Sequence, residues 1–160
     1  MVCFRRLCMA VGVTAALTVF AAPASAQATY VLAGVETAAT PTVGTFFGVT
    51  KSLDDFGKWW AVIQHGLLAD IAPITGGVFA IDGQVRDLQG IITGGQIVRL
   101  PGGSCRKERF AVTGEVLLDD FVTVGEFNVT LTHYGLRVPG GACFTFFATV
   151  EGGILFPTLQ

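Results

Sequence analysis

The chain has 160 residues, of which 51% are hydrophobic and 14% are charged, and its formal net charge at pH 7 is −2. This length suits one domain that buries its own core. The slightly acidic balance argues against a nucleic-acid partner, because a phosphate backbone favours a basic protein face.

The first 26 residues have the pattern of a secretory signal. Two arginines at positions 5 and 6 precede an apolar run over residues 9–22, and small residues follow at 24–26. The run is shorter than the roughly 20 residues that a membrane-spanning helix needs. We therefore predict cleavage after Ala26 and a secreted or periplasmic protein. Its mature domain, residues 27–160, would have no transmembrane segment.

The mature chain begins with two predicted strands, 29–35 and 43–50, around a turn at Pro41. An amphipathic helix is predicted next, at about residues 52–71. Ser52 suits the N-cap position, with a carboxylate three residues later. At 100° per residue, one apolar arc collects Leu53, Phe56, Trp60, Ile63, Leu67 and Ile71. We expect this helix to cover one face or one opening of a sheet.

The rest of the chain contains two similar units. FAIDGQV and FAVTGEV begin them, RLPGGSC and RVPGGAC end them, and we predict an internal duplication over 79–105 and 110–143. Apolar and polar residues alternate in both units, which indicates strands, and Pro-Gly-Gly indicates turns. LDDF, residues 118–121, is predicted to form a hairpin turn. The predicted fold is mainly β, a small antiparallel barrel or sandwich of about seven strands plus the helix.

Cys105 and Cys143 are the cysteines that remain after cleavage, and we predict that they form a disulfide in an oxidising compartment. In a plain meander their strands would be next-but-one neighbours, roughly 10 Å apart. A disulfide needs Cα atoms within about 7 Å. The loops should therefore lean together, or the sheet should be strongly coiled.

Four residues are candidates for a ligand site. Gly83 and Gly114 lie in register on the dry face, where missing side chains could form a cavity or let a barrel wall bend. His133 continues the inward row of its strand beside Tyr134, so it could bind a ligand or transfer a proton. The alternative for His133 is a hydrogen-bonded residue at the rim.

Five cations flank the two Pro-Gly-Gly turns and could contact an anionic surface if these turns share one end of the fold. The alternative is a solvated loop end that Glu108 partly neutralises. The five are Arg99, Arg106, Lys107, Arg109 and Arg137.

The sequence contains no recognisable catalytic motif, metal-ligand set or cofactor fingerprint. We expect an exported, non-enzymatic binding or envelope-associated domain whose ligand is a small apolar molecule or an anionic surface. A second hypothesis is a structural protein that assembles through strand edges or its Phe-rich C-terminal strand. A third is a barrel-type isomerase or cyclase that uses His133 and Tyr134.

Overall fold

The computed structural model describes residues 28–157, which form one closed antiparallel barrel of eight strands. Each strand pairs with its neighbours in the chain, and the first strand pairs with the last strand to close the barrel. The predicted antiparallel β fold is confirmed; of the two predicted architectures, barrel or sandwich, the chain forms the barrel, with eight strands instead of about seven. The strands are β1 (Ala28–Thr40), β2 (Val43–Lys51), β3 (Phe56–His65), β4 (Ile71–Gly83), β5 (Leu88–Arg99), β6 (Lys107–Leu118), β7 (Val124–Arg137) and β8 (Cys143–Phe156).

The predicted signal segment, residues 1–26, lies outside the described residues. Within residues 28–157, no helix is long and apolar enough to cross a membrane. The cysteine pair is bridged, which is consistent with an oxidising compartment.

The predicted helix at 52–71 is wrong, because this segment contains strand β3 and the turns beside it. Its apolar residues also fit period two, with Trp59, Ala61 and His65 buried and Lys58 and Trp60 exposed. β3 pairs along its length with β2 and β4, and these two ladders outweigh a weak helix that contained two glycines. The Ser-Leu-Asp-Asp stretch is the β2–β3 turn rather than a helix cap.

The interior is filled by large side chains that lie over inward glycines. A methyl group at Gly34 would stand 2.7 Å from the Trp59 ring, and one at Gly114 would stand 2.6 Å from the Phe127 ring. Small residues opposite large ones let a narrow barrel close without an axial pore. The core therefore depends on the alternation of inward and outward residues, which the sequence indicated for the two similar units from residue 79 onward.

The two barrel ends differ in their loops. At the first end, Asp55 is buried and its carboxylate accepts hydrogen bonds from the backbone N–H groups of Gln84, Val85 and Arg86, at 2.9, 3.0 and 3.3 Å. We call this the Asp55 end. It also carries the predicted LDDF turn, in which Asp120 accepts hydrogen bonds from the Thr123 hydroxyl and from the N–H groups of Thr123 and Val122, and these bonds lower its pKa.

The opposite end, which we call the disulfide end, carries both Pro-Gly-Gly turns. They join β5 to β6 and β7 to β8, and the Cα atoms of Cys105 and Cys143 are 5.5 Å apart. The chain before β6 leans across the end of β7, where a methyl group at Gly135 would stand 2.6 Å from the Cys105 carbonyl oxygen. The expected leaning of the loops thus occurs, and the disulfide is confirmed.

Reducing the disulfide should lower the free energy of unfolding by roughly 3–4 kcal/mol, because the bridge spans 38 residues of the unfolded chain. Urea unfolding with and without reductant measures this difference. The double variant Cys105→Ala/Cys143→Ala should have the lower stability and should no longer respond to reductant. Equal stability of the oxidised and reduced wild type would contradict the role of the bridge.

Tyr30 should make stability depend on pH above its usual pKa of 10.0. Its pKa is raised, first because burial penalises the phenolate and next because the Asp55 charge opposes it. As pH rises past about 10, the Tyr30 hydroxyl ionises in the unfolded chain before it does so in the folded protein. The free energy of unfolding therefore falls by up to ~1.4 kcal/mol per pH unit. Urea unfolding from pH 8 to 11 should show this loss in the wild type and a shallower one in Tyr30→Phe. Parallel profiles of the two proteins would contradict the assignment.

Candidate functional site

A cavity of about 60 Å³ lies inside the barrel and extends to the disulfide end. Its walls are almost wholly apolar, with Glu36 and His65 as the only titratable lining residues among those described. Trp59 forms part of the wall, and its indole Nε1 donates to the Ala33 carbonyl oxygen at 3.2 Å, which fixes the ring. The full lining is Leu32, Glu36, Phe46, Trp59, Ala61, Ile63, His65, Leu68, Phe79, Ile81, Ile92, Ile97, Val112, Val116, Phe127, Val129, Leu131, Val150 and Ile154.

Glu36 points into the barrel from β1, in phase with the buried Tyr30 and Leu32. Its side chain is 10% exposed, and Oε2 lies 3.3 Å from Nε2 of His133 on β7. A carboxylate in an apolar interior is costly unless it is paired. The imidazole is therefore the group that allows Glu36 to remain in the wall of the cavity.

His133 stands behind Glu36, with 12% of its side chain exposed. Its ring packs edge-on against Phe110, with 5.2 Å between the ring centroids. Nε2 is close enough to Glu36 for an ion pair, but its geometry is not that of a hydrogen bond, and the atom has no hydrogen-bond partner among the described residues. A buried nitrogen without a partner is the kind of group that a ligand or a bound water satisfies.

His65 is the third polar residue at this end. It is 8% exposed and lines the cavity, and its Nδ1 lies 2.7 Å from the Gly66 carbonyl oxygen. Because a carbonyl can only accept, Nδ1 carries the hydrogen, so Nε2 of the neutral ring is an acceptor. The cavity thus has a carboxylate and an imidazole nitrogen at one end.

The barrel wall opens beside these residues. Pairing between β1 and β8 stops at Val35 and Thr149, and a bulge follows in β1 between Glu36 and Ala38. Beyond that point β8 pairs only with β7, through residues 143–145 and 147–148. Bulges and unpaired edges are frequent near functional sites, where they reorient side chains.

The structure separates the sequence-predicted ligand residues. His133 points inward as expected, but Tyr134 points outward, where it packs against Phe147 and under the Lys107 ammonium group. Gly114 is covered by Phe127, and a methyl group at Gly83 would collide with the Asp55 carboxylate. Neither glycine lines the cavity.

The five predicted cations lie together at the disulfide end, and all are exposed. Arg99 is partly neutralised, since its Nε lies 3.1 Å from Glu108 and its Nη1 lies 3.8 Å from Asp70. The other four form no salt bridge within residues 28–157. This end of the barrel therefore carries a cationic rim, defined by Arg99, Arg106, Lys107, Arg109 and Arg137.

Sequence reasoning missed Glu36 and His65. Glu36 stands in phase with Tyr30, Leu32 and Gly34, so an inward row that ends in a carboxylate was visible. In the predicted helix, His65 falls opposite the apolar arc, whereas the strand pattern of β3 places it inward with Trp59. No group of three or more His, Cys, Asp and Glu side chains in residues 28–157 could hold a metal ion.

Removing one partner of the Glu36–His133 pair should cost more stability than removing both. His133→Leu leaves a buried carboxylate and should lower the free energy of unfolding by about 2–4 kcal/mol, whereas Glu36→Leu/His133→Leu should recover most of that loss. Urea unfolding of the two single variants and the double variant gives the coupling energy. Strictly additive losses would show that the two side chains do not interact.

The chain matches no protein-family model, no curated protein and no solved structure. Its function must therefore be argued from the residues and geometry of the barrel.

Proposed function

We propose that the barrel binds a small apolar molecule inside, with one polar group of the ligand directed at Glu36 and His65. The observation that carries the proposal is the apolar cavity with its polar residues collected at one end. An apolar pocket with a few convergent polar groups is the usual form of a small-molecule site.

The volume of the cavity limits the size of the ligand. A cavity needs about 10–15 Å³ to hold one group the size of a water molecule. Since a non-hydrogen atom with its hydrogens is about that size, a cavity of about 60 Å³ holds roughly four to six non-hydrogen atoms of a ligand. A short branched alkyl group or a five-membered ring fits this limit. Longer ligands would have to extend through the gap between β1 and β8.

A hydroxyl is the polar group that suits the site best. It can donate its hydrogen to either acceptor at this end of the cavity, the Glu36 carboxylate or Nε2 of the neutral His65 ring, which neither a hydrocarbon nor a carboxylate can do. His133 lies beside this carboxylate, with its Nε2 3.3 Å from Oε2 of Glu36. We therefore infer a small apolar alcohol as the ligand class.

The cationic rim supports a second contact, with an anionic surface. The rim surrounds the same end as the polar part of the cavity, and a cluster of like charges attracts anionic headgroups or acidic glycans. This contact would hold the entrance of the barrel against the surface from which the ligand comes. It agrees with the expected exported, envelope-associated binding protein.

A proton-transfer enzyme is a second candidate, because the Glu36 carboxylate and the His65 imidazole line one cavity and His133 lies beside Glu36. One group could take a proton from carbon while another returns it elsewhere, which shifts a double bond with no change in composition. Tyr134 has no part in this version, since it lies on the outer surface.

The hypothesis of a structural protein that assembles through its Phe-rich C-terminal strand is supported by the exposed side chains of Phe144, Phe146 and Phe147 on β8. Phe156 on the same strand is buried and cannot contribute.

Binding should be visible at the indole N–H of Trp59 by NMR. In a Trp60→Phe background this group gives the one indole signal expected from residues 28–157, and its ring lines the cavity. Cyclopentanol should shift the signal saturably, and cyclopentane should bind roughly tenfold more weakly, because it cannot bond to Glu36. Glu36→Leu should remove this preference for the alcohol.

A matched pair of alanine variants gives the control. Ala61→Leu fills the cavity and should abolish the shift, whereas Ala111→Leu adds the same atoms on the outer surface and should leave it. Circular dichroism verifies that both variants fold. A signal that no probe moves, or binding that survives Ala61→Leu, would refute the proposal. Deuterium incorporation into an unsaturated alcohol recovered from D₂O would favour the enzyme instead.

A further inference from the structure

Exposed apolar residues lie side by side on the outer surface of β2 to β5. On β2 to β5 the outward residues include Phe47, Trp60, Val78 and Ile91, which are 52, 47, 41 and 46% exposed. In the middle of β6 to β8 the outward residues include Thr113, Glu115, Glu126, Asn128, Thr130 and Glu151, and the exposed Phe144, Phe146 and Phe147 lie near the disulfide end of β8. An antiparallel sheet that faces water on one side normally has polar residues there.

The register of the strands makes the apolar residues contiguous. Phe47, Trp60 and Ala80 are successive cross-strand partners on β2, β3 and β4. Val62, Val78 and Ile91 form a second row directly beside them, on β3, β4 and β5. We call these six residues the outer β2–β5 face. Contiguous apolar patches of this kind mark interaction sites.

One edge of this face carries a pair of opposite charges. Lys58 and Asp82 are direct cross-strand partners on β3 and β4, and both are exposed. They lie next to Trp60 and Ala80 along the same two strands. The face therefore contains two unlike cross-strand pairs in succession. Trp60 and Ala80 pair a large side chain with a small one, and Lys58 and Asp82 pair a cation with an anion.

This arrangement is complementary to itself under a two-fold rotation. Consider a two-fold axis that is parallel to the strands and lies above the line between β3 and β4. This rotation places β3 of one copy over β4 of the other and does not change the position of any residue along the strand direction. Lys58 then faces the partner's Asp82, Trp60 faces the partner's Ala80, and Val62 faces the partner's Val78. An axis across the strands would instead place Lys58 against the uncharged region of Gln64. Two-fold interfaces bury the same patch on both copies, as this geometry requires.

We propose that this chain forms a two-fold homodimer through the outer β2–β5 face, with the strands of the two barrels packed face to face. Sheets pack in this way with their strands nearly aligned and about 10 Å apart. The centre is apolar and the Lys58–Asp82 pairs lie at the rim, as is usual in protein interfaces. This proposal is independent of ligand binding, because the face lies on the outer side of the barrel wall.

Sedimentation velocity over a concentration series tests the dimer with two matched variants. Val78→Lys places a charge in the centre of the interface and should weaken dimerisation by roughly tenfold or more. Val124→Lys is the control, since Val124 is also an outward strand valine, 45% exposed, but lies on β7 away from the face. It should leave the dimer unchanged. Both substitutions are outside the core, and circular dichroism verifies the fold.

A charge exchange tests the direction of the two-fold axis. Lys58→Asp sets acidic side chains against each other across the interface and should weaken the dimer, whereas Lys58→Asp with Asp82→Lys should restore it. A wild type that is monomeric at all concentrations, or a dimer that Val78→Lys leaves intact, overturns the proposal. A monomer that floats with phosphatidylcholine vesicles, and loses this binding with Val78→Lys, would assign the face to lipid instead.

Discussion

The hydrogen-bonded ladder between β1 and β8 is the constraint on which the rest of the structure depends. It joins the first and last described strands, with Ala28–Val35 against Thr149–Phe156. Pairing two strands that are far apart in the sequence costs conformational entropy. This cost is offset because the pairing protects the edges of both strands and completes the core. Gly152 and Gly153 lie in this ladder, where added side chains would crowd Asn128 and Tyr30. Once the ladder forms, each strand has an inner and an outer face.

The same closure explains why function is inferred at one end. At the Asp55 end the ladder reaches the last residues of β8, and Tyr30 packs edge-on against Phe156. At the disulfide end the ladder stops before Glu36, so the wall is open where Glu36 and His133 meet. The disulfide holds the β5–β6 and β7–β8 turns beside this opening. Rigid support around a partly open wall is a suitable setting for a binding site.

The sequence predicted the alternating strands, both Pro-Gly-Gly turns and the disulfide, because these depend on local pattern and on cysteine count. It failed at β3, where aromatic and β-branched residues satisfy both the helix and the strand period and only pairing with β2 and β4 decides. The strand reading would have placed His65 inside. Glu36 was in phase with its inward row, but its importance depends on His133, nearly one hundred residues away. Contacts of that range require the closed barrel.

Native-state amide hydrogen exchange followed by NMR tests barrel closure most directly. The backbone amides of Leu32 and Gly152 should be as strongly protected as those of the central β6–β7 ladder, since both ladders belong to one cooperative unit. Phe146, which lies at the register shift of β8 and pairs with neither β1 nor β7, should exchange much faster. Rapid exchange at Leu32 and Gly152, with protection kept between β6 and β7, would mean an open sheet and would contradict the enclosed interior.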